Sequence, residues 1–356
     1  MNVKKSIVML VLSIALLCIP QSAYTGFSQA GAIFLTIFPG ARPVGMGGAF
    51  AAIADDAAAT YYNQAGLAFQ KQTDISYMYS KWLPALYPGM YYRFLGLVHP
   101  LKRGCIGGNI IYLTTGETEA TDIYGNVLDT WRTFDVAVSI CYGTRVMKDM
   151  GVGAGLKFIY SYLCPDWVVR EIWGCGGGKA YDFAVDLSML YRTPFSGLNV
   201  GASLQNFGPD IRYTKCHESD PLPRMLRAGI SYDTGEIFKV NNILLVRFAI
   251  SIDRIYSLVG DSEPPWKASG WEFTFFETFS LREGSFNDKS GHRIGDTEGY
   301  GFKSKGIVEL LQLPHLLGGF EFDVSDDSDI YEFYDFFYTK RPKNLRYEIS
   351  YKFESF

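Results

Sequence analysis

The chain has 356 residues, enough for one large domain or two ordinary ones. A formal net charge of -4, with no basic patch interleaved with aromatics, gives no case for nucleic-acid binding. Aromatics at 16%, charged residues at 20% and a mean hydropathy near zero argue against a helical membrane protein. They suit a membrane barrel with an apolar outside, a wet inside and aromatic girdles.

Residues 1–30 read as a secretory leader. Lys4 and Lys5 form a charged start, Ile7 to Ile19 an apolar run too short to span a bilayer, and Pro20 breaks it. Small residues at Ser22, Ala23, Ser28 and Ala30 put cleavage near 23–30. No later apolar run reaches the roughly 18 residues of a transmembrane helix, so a membrane location would require a closed barrel.

Gly40 to Phe69 is dense in Ala and Gly and unlike anything after it. Asp55 or Asp56 followed by Ala57-Ala-Ala-Thr-Tyr-Tyr, with Asn63 and Gly66 behind, predicts a short capped helix. The two aspartates have a second reading, as groups facing cations or a cargo inside a lumen. Residues 31–70 have no place in a wall that closes without them, so they are expected as a luminal plug that blocks a straight water path. Arg42, Met46, Asp55, Asp56, Asn63 and Gly66 are its candidate residues.

From residue 71 onward the pattern has period two. Val152, Ala154, Leu156, Phe158 and Tyr160 alternate with Gly151, Gly153, Gly155 and Lys157; Tyr347, Ile349, Tyr351 and Phe353 alternate with Arg346, Glu348, Ser350 and Lys352. Fourteen segments qualify: 73–80, 90–99, 105–114, 132–143, 150–162, 179–191, 198–207, 224–232, 243–253, 268–276, 279–286, 298–305, 318–325 and 345–355. They run near ten residues, the length that crosses a bilayer at a tilt, against about five or six for soluble strands. Asp135, Asp186, Arg247 and Lys352 stand mid-strand on the polar face, which a wet lumen tolerates. Connections are alternately short (100–104, 144–149, 192–197, 277–278) and long (115–131, 163–178, 208–223, 254–267, 287–297, 326–344), as periplasmic turns and extracellular loops are. The connections 233–242 and 306–317 exceed that rule. The predicted fold is an all-β transmembrane, antiparallel outer-membrane barrel of about 14 strands, ending at Phe353.

Several stretches carry a family resemblance. Gly40-Ala-Arg-Pro-Val-Gly-Met-Gly-Gly-Ala-Phe50, Asp55-Asp56 and Asn63-Gln-Ala-Gly66 resemble the N-terminal segment of the PorV/PorQ family. Gly201-Ala-Ser-Leu-Gln-Asn-Phe-Gly-Pro209, Asp220-Pro-Leu-Pro223, Gly270-Trp-Glu-Phe273 and Phe279-Ser-Leu-Arg-Glu-Gly284 are similar to its later strands and turns. Gln64 stands where the family has Pro. The resemblance implies an outer-membrane barrel related to FadL-type hydrocarbon transporters. It also implies a part in type IX secretion, with secreted cargo and other secretion-system components as partners besides outer-membrane lipid.

Enzymatic motifs fail on inspection. Gly174-Cys-Gly-Gly-Gly-Lys179 has Trp173 where a phosphate-binding loop needs its first Gly, and Ala180 replaces the magnesium-holding hydroxyl. His99, His217, His292 and His315 are scattered, so neither metal nor cofactor is expected. Cys164 and Cys175 share one outer loop and are the candidate disulfide, with free thiols the alternative. In the loop 326–344, Tyr331, Phe333, Tyr334, Phe336, Phe337 and Tyr338 are candidate partner-binding residues, or else a girdle at the headgroups. The function expected is an accessory role in protein secretion, with a FadL-like passive channel for hydrophobic small molecules as the alternative.

Overall fold

The computed structural model describes residues 30–216, 219–235, 238–240, 243–259, 264–289, 291, 293–314, 318–331 and 342–354. The expected leader lies outside them. The wall strands are β1 (Thr73–Lys81), β2 (Tyr91–Pro100), β3 (Cys105–Thr121), β4 (Val127–Met147), β5 (Met150–Tyr162), β6 (Lys179–Arg192), β7 (Leu198–Phe207), β8 (Met225–Asp233), β9 (Phe238–Val240), β10 (Ile243–Ser257), β11 (Trp266–Phe275), β12 (Phe279–Asp288), β13 (Arg293–Lys303), β14 (Phe320–Asp326) and β15 (Leu345–Phe353). All pairings are antiparallel; β15 pairs with β1, and β10 pairs with β11, so the sheet has no open edge. The short β9 pairs with the start of β10 below the point where β8 leaves it, so the two fill one wall position and the barrel has 14.

Closure satisfies every strand's neighbours, which hydrocarbon demands. The period-two text sorts as expected. On β15, Arg346 and Glu348 point inward and are buried, while Tyr347 and Ile349 point outward. Leu95, Ile140, Leu156, Phe183, Ile252 and Leu281 continue the apolar outer face round the barrel. No helix among the described residues is long and apolar enough to cross a membrane; the strands do that.

One end of the barrel, the lower, carries the turns 101–104, 148–149, 193–197 and 276–278 and both ends of the wall chain. The upper end carries the long loops. Three details differ from expectation. The stretch 115–131 is mostly strand: β3 and β4 run on as a hairpin with its turn at 122–126, held upright by cross-strand pairing to Ala120 and Asp129. The lower connection 234–242 contains β9, and 304–319 contains a helix, Lys305–Leu310, packed by Gly306 on the 276–278 turn. Those insertions explain why these two connections break the short-turn rule.

Candidate functional site

Residues 31–70 lie inside the wall, touching inward residues of strands all the way round. They form short turns rather than one helix: Ile33–Thr36, Ala41–Gly45, Ala59–Tyr62 and Gln64–Phe69. The expected helix from Ala57 is thus shortened to Ala59–Tyr62, with Asp56 accepting the Ala58 amide at 2.9 Å just ahead of it. Asn63 ends that helix and caps the next turn, accepting the Ala65 amide at 3.1 Å.

So little regular structure leaves many plug amides and carbonyls without partners of their own, and each buried one must find a partner. The wall supplies them. Asp253 accepts the amides of Phe50 and Ala51, both at 3.0 Å. Asp74 accepts Ala57 at 2.8 Å and Glu348 accepts Ala41 at 2.6 Å. Gln205, Ser231 and Arg346 donate to the carbonyls of Tyr61, Ala52 and Phe38. Arg227, wholly buried, donates to the Gly48 carbonyl at 2.8 Å and to Asp253 at 3.2 Å, while its guanidinium covers the rings of Phe38 and Tyr62.

Arg42 is the electrostatic centre of the plug. It donates through Nε and Nη2 to Glu272 at 2.9 and 3.0 Å, and through Nη1 to Asp55 at 2.6 Å and Asp56 at 2.9 Å. Glu272 also accepts from Arg282 at 2.5 Å, which reaches Asp323 at 2.6 Å. Burial pushes the Asp55 carboxyl up, but the charges of Arg42 and Arg247 outweigh it and hold it below the usual carboxylate range. Asp56 ends above that range: burial leads, and Asp55 beside it adds to the rise against the pull of Arg42. Burial also carries the Tyr61 hydroxyl up to about 12.

A belt of wall glycines lets the plug backbone lie directly on the sheet. A β-carbon on Gly201 would stand 2.1 Å from the Ala51 oxygen, and one on Gly153 2.4 Å from the Ala65 nitrogen. Gly270 and Gly284 serve Met46 and Gly47 in the same way. Gly66, inside the plug, abuts the Ala54 carbonyl. The candidates Arg42, Met46, Asp55, Asp56, Asn63 and Gly66 all fall in this one body, but they are not equivalent: the first, third and fourth form an ionic cluster, and the others are packing and turn residues. Not singled out from the sequence were their wall partners Glu272, Arg282, Arg227, Asp253 and Glu348. The available signal was a full charge on the polar face of a strand, joined for Arg227, Glu272 and Arg282 by a glycine two residues away on the same face.

Two cavities flank the plug. Above it, Phe38, Val44, Trp82, Phe286, Arg293 and Arg346 border a space of ≈ 20 Å³, room for about one water. Below it, a vestibule of ≈ 810 Å³ is lined by charged groups, among them Arg42, Asp55, Arg247, Lys303, Glu321 and Lys352.

Two expectations at the upper end need correction. Cys175 is bonded to Cys216, with Cα atoms 6.0 Å apart, and Cys164 is a free thiol. The helix Asp166–Trp173 intervenes between Cys164 and Cys175. The loop after β7 pairs with the strip before β6 through Gly177 and Thr214 and through the Lys215 amide on the Gly176 carbonyl, which sets Cys216 beside Cys175. Tyr331 is not an outer contact residue: it is 5% exposed and packs edge-on against Trp82 with ring centroids 5.7 Å apart. Phe333, Tyr334, Phe336, Phe337 and Tyr338 lie outside the described residues.

The sequence model of the family described as "Type IX secretion system protein PorV" matches residues 25–255, most of the plug and wall. The chain belongs to this family. No curated protein sequence matches it. Solved structures similar to this PorV-family barrel include the Ralstonia pickettii toluene transporter TbuX, at 14% identity and a TM-score of 0.50, covering 93% of this chain and 100% of that one. The Pseudomonas putida toluene transporter TodX aligns at 11% identity and a TM-score of 0.54, covering 89% and 98%. At such identities the likeness is one of fold alone.

Proposed function

We propose that this PorV-family barrel is an accessory component of protein secretion in a bacterial outer membrane. On this reading the upper end faces outward, the lower end faces the periplasm, and the partners are secreted cargo and other components of a type IX system. The observation that carries it is the filled lumen. The space above the plug holds about one water, whereas a small-molecule site needs about 300 Å³ or more of mainly apolar pocket. The large cavity below is lined with charge, unsuited to a hydrocarbon. A protein with its interior so occupied works through its surfaces. We assign the partner contacts to the outer loops and no catalytic step to any residue.

The test is a deletion strain assayed for two outputs. Secreted proteins should accumulate in the periplasm, and uptake of labelled long-chain fatty acid should be unchanged. Normal secretion with lost uptake would overturn the reading in favour of a hydrophobic channel.

A further inference from the structure

The outer face of β1–β6 near its upper rim carries an aromatic row broken by cations. Cross-strand pairing aligns Lys81, Tyr91, Thr114, Phe134, Tyr162 and Lys179 on one line across six strands. Arg93 stands one step lower, directly opposite Tyr79 on β1 and Tyr112 on β3. Its guanidinium lies 4.6 Å from the centre of the Tyr91 ring and 5.8 Å from that of Tyr79. The Lys179 ammonium lies 5.4 Å from the Tyr162 ring centre. Tyr91, Tyr112 and Phe134 stack in sequence, with centroids 5.7 and 6.0 Å apart. Below the row the outer face is apolar through Tyr77, Leu95, Ile110 and Val138; above it, the β3–β4 hairpin turns polar at Glu117 and Thr118. The row therefore marks the level at which hydrocarbon gives way to headgroups.

A girdle needs the aromatics but not the cations. Among the described residues no carboxylate pairs with Lys81, Arg93 or Lys179. Arg132, one row higher on β4, pairs with Glu117 at 3.2 Å, both side chains being half exposed or more, a weak surface pair. Arg93, Arg132 and Lys179 stand on β2, β4 and β6, two interstrand spacings apart across the sheet and offset along the strands by two rows and by one, so that neighbouring cation positions are separated by about 17 and about 12 Å along the backbone surface. Their aromatic neighbours hold the cations without neutralising them.

We propose that this face is a binding site for a lipid whose headgroup carries more than one phosphate, its acyl chains lying on the apolar strip below and its phosphates bridging Arg93, Arg132 and Lys179. Arginine and lysine are the usual phosphate partners, and cations just beyond an apolar surface recognise anionic headgroups. The site is independent of the secretion reading.

The experiment uses the full chain in dodecyl maltoside with a fluorescent diphosphorylated glucosamine-disaccharide lipid, and the same lipid stripped of phosphate. The wild type should bind the phosphorylated form at least about tenfold more tightly, and Arg93→Gln with Lys179→Gln should remove about that factor. A lower-rim control, Lys102→Gln with Arg103→Gln, should bind as the wild type does. Lys179→Gln alone, an exposed change, should show a partial loss should the double variant fold poorly. Equal binding of both lipids, equal loss in the lower-rim control, or full displacement by inorganic phosphate would each overturn the proposal.

Discussion

Gly284 on β12 lies directly against Gly47 of the plug, so close that a β-carbon on Gly284 would stand 2.1 Å from the Gly47 nitrogen. The plug is thus fitted to the wall backbone to backbone, and the fit depends on what the wall lacks. Gly284→Val must push residues 46–48 off their seat, since the obstructing atoms are backbone and cannot rotate away. Overpacking of this kind costs about 1–3 kcal/mol, too little to prevent the barrel from forming. The expected outcome is a band that still shifts on boiling, a lowered unfolding midpoint, and a higher ion conductance in planar bilayers than that of the wild type. A variant with wild-type conductance and midpoint would show that the plug is not seated on the glycines.

Arg227 makes the opposite kind of contact. Its charge is entirely buried, balanced by Asp253 and by two ring faces. Arg227→Met keeps much of the volume but leaves Asp253 buried without its cation, a loss of about 3–5 kcal/mol where a buried pair is broken from one side. Denaturant unfolding of the folded protein in detergent should show this drop. Lys179→Gln, on the outer surface, should show almost none. Equal effects would mean the Arg227 pair carries no special share of the stability.

The wall was legible in the sequence because strand periodicity is local: ten residues suffice to show which face is wet, and Arg346, Glu348 and Lys352 reveal β15 unaided. The plug was legible only as a residue range. Its small-residue content showed that it packs closely, but Ala57-Ala-Ala reads as helix by propensity, while the actual conformation follows from partners such as Asp253 and Asp74, hundreds of residues or one strand away. The disulfide failed for the same reason. Cys164 and Cys175 are near in sequence, yet a helix parts them and pairing between two loops brings Cys216 in. The extended β3–β4 hairpin was missed because its polar upper half lacks the apolar face on which alternation is recognised.

The Arg42 cluster predicts a particular acid response. Asp55 is held below its ordinary value in the folded protein, so its contribution is complete above the unfolded value of about 3.9 and is lost as pH falls through the folded value. Asp56 has the opposite sign: its raised value means that protonation on acidification relieves a cost. Comparing wild type with Asp55→Asn isolates the first effect. The difference in unfolding free energy between the two should stay constant from pH 7 to about pH 5 and shrink below about pH 4. A difference that vanished between pH 7 and pH 5 would place the Asp55 titration elsewhere and sink the assignment of Arg42 as its partner.

The three free thiols among the described residues differ in access, which gives a direct test of the upper loops. Cys105 and Cys141 are buried on the lumen side of β3 and β4, and Cys164 is partly exposed where the β5–β6 loop begins. Burial raises the Cys164 thiol, so it reacts slowly at neutral pH but remains reachable. Maleimide should therefore label Cys164 on the folded, unreduced protein, label Cys105 and Cys141 only after unfolding, and label Cys175 and Cys216 only after reduction. Peptide mapping without reductant should recover Cys175 and Cys216 joined. Recovery of Cys164 joined to Cys175, with Cys216 free to react, would restore the pairing read from the sequence and require the two upper loops to be parted at Gly177 and Thr214.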